Sequence, residues 1–387
     1  MVKNTSLFSQ LLRFFPNDVF GKIVDSHNGE HHARGFTCRQ QLVSMLFCVM
    51  GKAQSLREIS GGLATCEGKL RHLGIKAPKK SSLAYANEHR PWEIYRDTFF
   101  HLLKQCKTEA RFHKRKFRIK KKMYSIDSTT IDLCLSMYDW AHFRRTKGAI
   151  KIHLRLDHDG YLPDYAVITE GKVHDSQVLK DFQFDPDSIS ILDRAYNDYV
   201  FFGSMCDRNA WFVTRLKSNA KYEVIEQREL KGKNILRDEV IRFTGPVTKK
   251  KCPYPLRIIE YYDEEKKRTF VYLTNNLKLA ASTIARIYKE RWQIETFFKA
   301  LKQHIKIKTF VGTSPNAVKI QIWTALIAIL LLKYLKLKST FGWSLSNLAA
   351  LLRMNLFTYR DLWEWINKPF ETYPVQIESI QMALNLT

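Results

Sequence analysis

The sequence predicts an α/β protein in which a mixed sheet with helices follows a helical N-terminal region and is interrupted by a strand-rich insertion. Three observations lead there. Hydrophobic spacing is helical to about residue 110 and changes to strand-like alternation at Met123. Runs rich in β-branched and aromatic residues then alternate with helix-like stretches in the order β-β-β-α-β-α-β. With 387 residues, 45% of them hydrophobic, the chain is long enough for two or three domains and apolar enough to build a large core.

In RQQLVSMLFCVMGKAQSLREISGGL, residues 39–63, a helical run reaches Met50 and breaks at Gly51, and Ser55 with Glu58 forms a capping box that opens a second short helix. Two short helices around a glycine turn fit a helix-turn-helix DNA reader and fit any small helical bundle equally well. Ser81 or Ser82 could cap a further helix, which Pro91 breaks or restarts. The run KRKFRIKKK, residues 114–122, is the densest positive patch, suited to phosphate contact or to a solvated linker.

Strands are predicted at residues 123–134, 150–157, 161–169, 189–193 and 210–216, with helices beginning near Asp175 and Tyr196. The polar interval 217–280 holds further strands in EVIEQREL, LRIIEYY and RTFVYLT, and a long helix begins at about Ser282. The expected domains are 1–118 (helical, DNA-binding), 119–216 with 281–335 (the sheet domain), 217–280 (the insertion) and 336–387 (C-terminal helices such as SLSNLAALLRMN and YRDLWEWI).

A net charge of +25 spread along the chain, with 13% aromatic residues, points to an extended polyanion such as nucleic acid. A membrane surface is the competing partner, but the longest apolar run, Ile322 to Leu332, is 11 residues, against roughly 20 for a bilayer span. It reads as a buried core helix. The N-terminus lacks the order of a signal peptide, and seven scattered cysteines without a CxxC pair fit a reducing cytoplasm rather than a disulfide framework or structural zinc.

Two aspartates lie on predicted strands. Asp127 sits inside the apolar strand YSIDSTT, where a carboxylate costs stability unless paired or bound to metal. Asp193 ends ISILD, at the carboxyl end of a strand where open α/β sheets place ligands, although a simple cap role fits it too. In YKERWQIETFFKALK, residues 288–302, Tyr288, Arg291, Glu295 and Lys302 fall within an arc of about 60° if the segment is one helix. That stripe could bind a metal ion and an anionic backbone side by side, or be an ordinary solvated face. Asp127, Asp193 and Glu295 together could ligate Mg²⁺ or Mn²⁺ through oxygen.

Here the chain resembles a known family. The strand order, the acids on the first strand, after the fourth strand and on the last helix, and the spacing Y-x2-R-x3-E-x6-K resemble the DDE transposases of the insertion sequence 4 family, with an RNase H-like catalytic core. IDSTT around Asp127, TEGKVHDS (169–176) and LDRAYND around Asp193 support the match, which covers roughly residues 120–335. The resemblance implies a metal-binding catalytic triad of Asp127, Asp193 and Glu295 holding about two Mg²⁺ or Mn²⁺ ions. It implies DNA contacts by Tyr288, Arg291 and Lys302. Phe270, in RTFVYLT, falls where some relatives have a tryptophan that stacks on a flipped base, though a plain strand-core role fits it as well. His174 and Asp175 recur in a family motif, His174 reading as a structural hydrogen-bonder.

The expected function is therefore a bacterial insertion-sequence transposase that binds terminal inverted repeats, cuts there, and joins the 3′-hydroxyl ends to target DNA. It would work as a homodimer on double-stranded DNA, without a membrane, in the cytoplasm. A DNA-binding repressor on a decayed scaffold and a nuclease without strand transfer are the alternatives.

Overall fold

The computed structural model describes residues 5–31, 33, 35–110, 119, 121–134, 136–144, 147–304 and 310–371. Most of the basic run 114–122 lies outside the described residues. Of its described members, Lys121 pairs with Asp187 and lies 3.8 Å over the ring of Trp211.

The N-terminal helices are α1 (Leu7–Leu11), α2 (Asn17–Ser26), α3 (Cys38–Gly51), α4 (Leu56–Ala64), α5 (Glu67–Leu70), α6 (Lys80–His89) and α7 (Glu93–Ala110). Thr37 and Gln40 close a capping box on α3, which ends where Lys52 turns left-handed at φ 58°. Ser55 caps α4 by accepting from the Glu58 amide at 3.1 Å, while the Glu58 carboxylate reaches back to the Gln54 amide at 2.9 Å, one residue earlier than a standard box. Neither Ser81 nor Ser82 caps α6, which starts at Lys80 without a side-chain cap, and Pro91 falls in the break before α7. Most of α3 is buried, against α4, α6 and two later helices, so α3 and α4 belong to a larger core rather than to a detached reader.

The sheet strands are β1 (Met123–Leu133), β2 (His142–Arg144), β3 (Lys147–Asp157), β4 (Leu162–Glu170), β5 (Ile189–Leu192), β6 (Trp211–Arg215), β7 (Tyr222–Gln227), β8 (Ile235–Phe243), β9 (Leu256–Asp263) and β10 (Arg268–Thr274). β1 pairs antiparallel with β3 and parallel with β5, and β5 pairs parallel with β6. That gives the five-strand order β4-β3-β1-β5-β6 of an RNase H-like core. The predicted insertion continues the same sheet: β10 pairs antiparallel with β6, and β9, β8 and β7 follow outward. β8 and β2 are strands that the sequence reading did not contain. The helix expected near Asp175 is a 3-10 turn, Asp175–Asp181, whereas α8 (Tyr199–Asp207) matches the helix expected near Tyr196.

Alternation splits the sheet into two faces. Ile189, Ile191 and Val213 face one side with α10 (Ala281–Lys289), while Leu192 and Phe212 face α8 and its neighbour α9 (Pro246–Lys251). α11 (Trp292–His304), α12 (Pro315–Lys338), α13 (Leu345–Met354) and α14 (Leu362–Asn367) complete the chain.

The apolar run Ile322 to Leu332 is the middle of α12, a 24-residue helix capped by Ser314 and opened by Pro315. By length and composition this helix could cross a bilayer, but 83% of its most apolar window is already buried inside the protein. Its neighbours are α3, α6, α7, α11 and α13, so it is the axle of the helical core. The first and last described helices, α1 and α14, pack together. The Gln10 side chain donates to the Arg360 carbonyl at 2.7 Å and accepts from the Leu362 amide at 2.9 Å, which ties the C-terminal helices to α1. All seven cysteines are free, and burial pushes the thiols of Cys38, Cys48, Cys106 and Cys252 up to about 12.

Asp157 closes β3 with only 4% exposure, and burial pushes its carboxyl up to about 6 against the partial help of the Asp159 amide. A carboxyl raised in the folded state contributes stability that is present below its unfolded value and lost as pH rises through 6. The Asp157→Asn protein should therefore gain on the wild type between pH 4 and 7, by up to about 3 kcal/mol. Parallel melting curves at pH 4, 5, 6 and 7 measure the gap, and a constant gap would contradict the buried-carboxyl assignment.

Candidate active site

The central parallel pair of strands brings the two predicted aspartates together. Ile126 of β1 is in register with Leu192 of β5, so Asp127 and Asp193, the next residue on each chain, leave that pairing side by side. Asp127 is still paired in β1, opposite Leu154 of β3. Asp193 has left β5 and caps the 3-10 turn Arg194–Tyr196, accepting from the Ala195 amide at 3.0 Å. It is thus both a cap and a neighbour of Asp127, two roles that the sequence left as alternatives.

α11 packs on β1 and supplies Glu295. The link is Arg291, whose Nη1 donates to Asp127 Oδ2 at 3.0 Å and whose Nη2 donates to Glu295 Oε1 at 2.5 Å. Arg215 of β6 meets Asp193 Oδ2 at 3.2 Å. Burial pushes the Asp127 carboxyl up to about 7. Arg291 and the Ser128 amide pull it down, while Asp193 and Glu295 raise it further. Burial also opposes charge on Asp193, but the Ala195 amide, Arg291 and Arg215 outweigh it and hold that carboxyl below its ordinary value.

Among the described residues, no three His, Cys, Asp or Glu side chains stand close enough to hold a metal ion as they are. The donor chemistry nevertheless suits one. Two hard carboxylates already share a cation, the Arg291 guanidinium, and Asp193 stands just past the end of the next strand. Hard oxygen donors of that kind are what Mg²⁺ and Mn²⁺ prefer.

Tyr288, Arg291, Glu295 and Lys302 do not lie on one helix stripe. The helix stops at Lys289, turns through Glu290 and Arg291 with i to i−3 hydrogen bonds, and restarts at Trp292. Tyr288 consequently stays on α10, where its ring packs 4.9 Å from that of Tyr272 and its buried hydroxyl sits beside the Arg291 guanidinium. Lys302 is exposed on α11 and lines an open groove with Asp127, Ser128, Thr129, Glu295 and Lys299.

Phe270 lines a second hollow, shared with Tyr261, Tyr272, Tyr288, Arg291 and Trp292. Its ring is partly exposed and stacks on Tyr272, with centroids 6.1 Å apart and planes 9° apart. Trp292, 61% exposed, stands at the mouth, where Lys266 lies over both its ring and that of Phe270. In the sequence Trp292 shows only as an aromatic between Arg291 and Glu295, with no spacing that marks it.

Asp175, which shares a family motif with His174, is part of the neighbourhood. It accepts from Ser128 Oγ at 2.9 Å and from Lys151 Nζ at 3.3 Å, and it sits 3.7 Å from the buried His153. Burial drives the His153 imidazole down to about 4, so it is neutral at physiological pH. His174 caps the turn by accepting from the Ser176 amide, as a structural hydrogen-bonder would.

Residues 118–331 match the family described as a transposase DDE domain, and residues 3–76 match a domain of unknown function, DUF4372. A protein of Sinorhizobium fredii named as transposase y4zB is 32% identical over 291 residues, 74% of this chain and 80% of its own length. A Geobacillus stearothermophilus protein named as a transposase for insertion sequence element IS5377 is 25% identical, covering 87% of this chain and 86% of its own length. A Synechocystis protein named as a transposase for insertion sequence element IS4SA is 26% identical over 68% of this chain and 73% of its own length.

Removing the Arg291 guanidinium leaves Asp127 facing Glu295 and Asp193 without its counter-charge, a part-buried carboxyl that escapes by taking a proton, at a loss of about 1–3 kcal/mol. The Arg291→Ala protein should melt well below the wild type. Millimolar Mn²⁺ should restore more of that loss in the variant than it adds to the wild type, because the ion replaces the missing cation. Equal shifts in both proteins would argue that the carboxylates are not a cation site.

Proposed function

The chain belongs to the DDE transposase family and acts in DNA transposition by metal-dependent cleavage and transfer, and from that premise we propose how its own residues divide the work. The observation that supports the division is that Arg291 joins Asp127 to Glu295 while Asp193 follows the parallel strand next to that of Asp127.

Asp127, Asp193 and Glu295 would hold the divalent ions, two of Mg²⁺ or Mn²⁺. Such ions, when bound, polarise the scissile phosphodiester and lower the pKa of the attacking water or 3′-hydroxyl. The rest falls to the protein. Asp127, the most deeply set of the three, fixes the position of the site because its backbone is locked between β3 and β5. Arg291, displaced from the carboxylates, has a planar fork to offer a phosphate, and Lys302 adds a mobile positive charge on the same groove. Tyr288, buried behind Arg291, would set the guanidinium's position rather than reach DNA itself. The Arg291 guanidinium lies 5.8 Å over the Tyr288 ring.

The DNA would be the terminal inverted repeats of a bacterial insertion sequence and a target duplex, joined by cut-and-paste transfer with a homodimer bridging two ends. The spacing of Tyr288, Arg291, Glu295 and Lys302 fits the insertion sequence 4 group within the family. Incubation with terminal-repeat DNA, a target plasmid and Mg²⁺ tests the whole. Joined products are expected. Hydrolysed ends alone would make it a nuclease, and a complex without cleavage would make it a repressor.

Asp193→Ala and Glu295→Ala should each abolish cleavage, while the affinity for terminal-repeat DNA stays within about threefold, since most of that affinity comes from distributed cations. Cleavage retained by either variant would remove that residue from the triad. Phe270→Ala should leave first-strand nicking intact and slow hairpin resolution on the order of tenfold or more, as loss of one stacked base implies. End processing identical to wild type would return Phe270 to the role of a strand-core side chain.

A further inference from the structure

A second cleft lies on the far side of α11 from the carboxylates. Its volume is about 670 Å³, and it is walled by α11, the end of α12, the start of α13 and the β3–β4 turn. Three lysines line it, Lys299, Lys333 and Lys336, together with His158, and no aspartate or glutamate does among the described residues. Lys299 and Gln303 belong to both walls, facing the carboxylate groove as well as this cleft, so the two are continuous across α11.

Lys333 is the informative residue. It stands half-buried where the apolar stretch of α12 ends, a costly place for a charge, and among the described residues no carboxylate acts on it. Its ammonium lies 5.5 Å from the centre of the Phe297 ring. Burial and the neighbouring Lys336 push its pKa down to about 7. An anion arriving in the cleft would restore the full charge and supply the missing partner. A helix packed only for stability would carry leucine here.

We propose that this cleft holds a stretch of phosphodiester backbone of the DNA strand that passes through the carboxylate groove. The inference rests on the reading of Asp127, Asp193 and Glu295 as a DNA-processing site. Binding by Lys299, Lys333 and Lys336 is sequence-independent, because ammonium groups on a groove wall read phosphate and not base edges. It extends the DNA footprint beyond the Tyr288 to Lys302 segment, onto α12.

The test is fluorescence anisotropy of full-length protein with two labelled duplexes of equal length, one from the element's end and one unrelated, over 50–300 mM salt. Lys333→Gln/Lys336→Gln should lower the slope of log K against log[salt] by up to about 1.8, at roughly 0.9 per phosphate contact, equally on both duplexes. Lys333→Arg/Lys336→Arg should keep the wild-type slope, and circular dichroism melts verify folding. Lys336→Gln alone, on the exposed side of α12, should lose about half of the effect and covers the case in which the double variant does not fold. Unchanged slopes in the Gln variants beside a lowered slope in Lys302→Gln would overturn the cleft alone. A loss confined to one duplex would overturn the backbone assignment. A salt-independent wild type would overturn both the cleft and the carboxylate-groove reading.

Discussion

One guanidinium joins the central strand of this protein to α11. Arg291 bonds Asp127 on the central strand and Glu295 on α11, so a single side chain fixes the distance between sheet and helix at the point where the acids meet. Without a cation there, burial would force a proton onto Asp127, and repulsion from Asp193 and Glu295 would add to the tendency. The site is therefore built to contain positive charge. The sheet explains why the acids are there at all: two parallel strands in register deliver Asp127 and Asp193 together, and a shift of one residue in either strand would turn one of them to the opposite face.

Rigidity behind that charge comes from two directions. On one side α12 is buried along most of its length and carries α11 on its flank, with the N- and C-terminal helices packed around it. On the other the outer strands β7 to β10 continue the sheet through β6, so the segment inserted in the sequence is not hung on a flexible stalk. Within it, Arg257 and Asp238 form a buried bidentate pair, at 2.7 and 2.6 Å, across β9 and β8. That pair holds the register of β8 and β9, and β9 in turn pairs with β10, which carries Phe270.

Much of this was legible in the chain. The β-branched runs around Asp127 and Asp193 marked the strands within one to three residues, because alternation and turn residues both act locally. Glu295 was legible by spacing from Arg291. The helix break was not. Nothing in YKERWQ forbids a continuous helix, and the turn at Glu290 and Arg291 follows from tertiary demands, chiefly the two carboxylates that Arg291 must reach. The contacts of Asp175 are illegible for a similar reason: its partners Ser128, Lys151 and His153 come from strands distant in sequence. β8 escaped because its outward positions, Leu236 among them, blur the alternation on a strand near the edge of the sheet.

The break also gives the site its shape. Had the helix run straight from Tyr288 to Lys302, the four side chains would have shared one face, and the tyrosine would have competed with the cations for a single surface. With the turn, Arg291 stands at the corner between two hollows: the aromatic one of Phe270, Tyr272 and Trp292, and the acidic one of Asp127 and Glu295. A ligand that drew the guanidinium towards the aromatic side would uncover both carboxylates at once. Stacking surfaces and carboxylates are thus tied through one charge, and that coupling depends on the corner, which no single helix could provide.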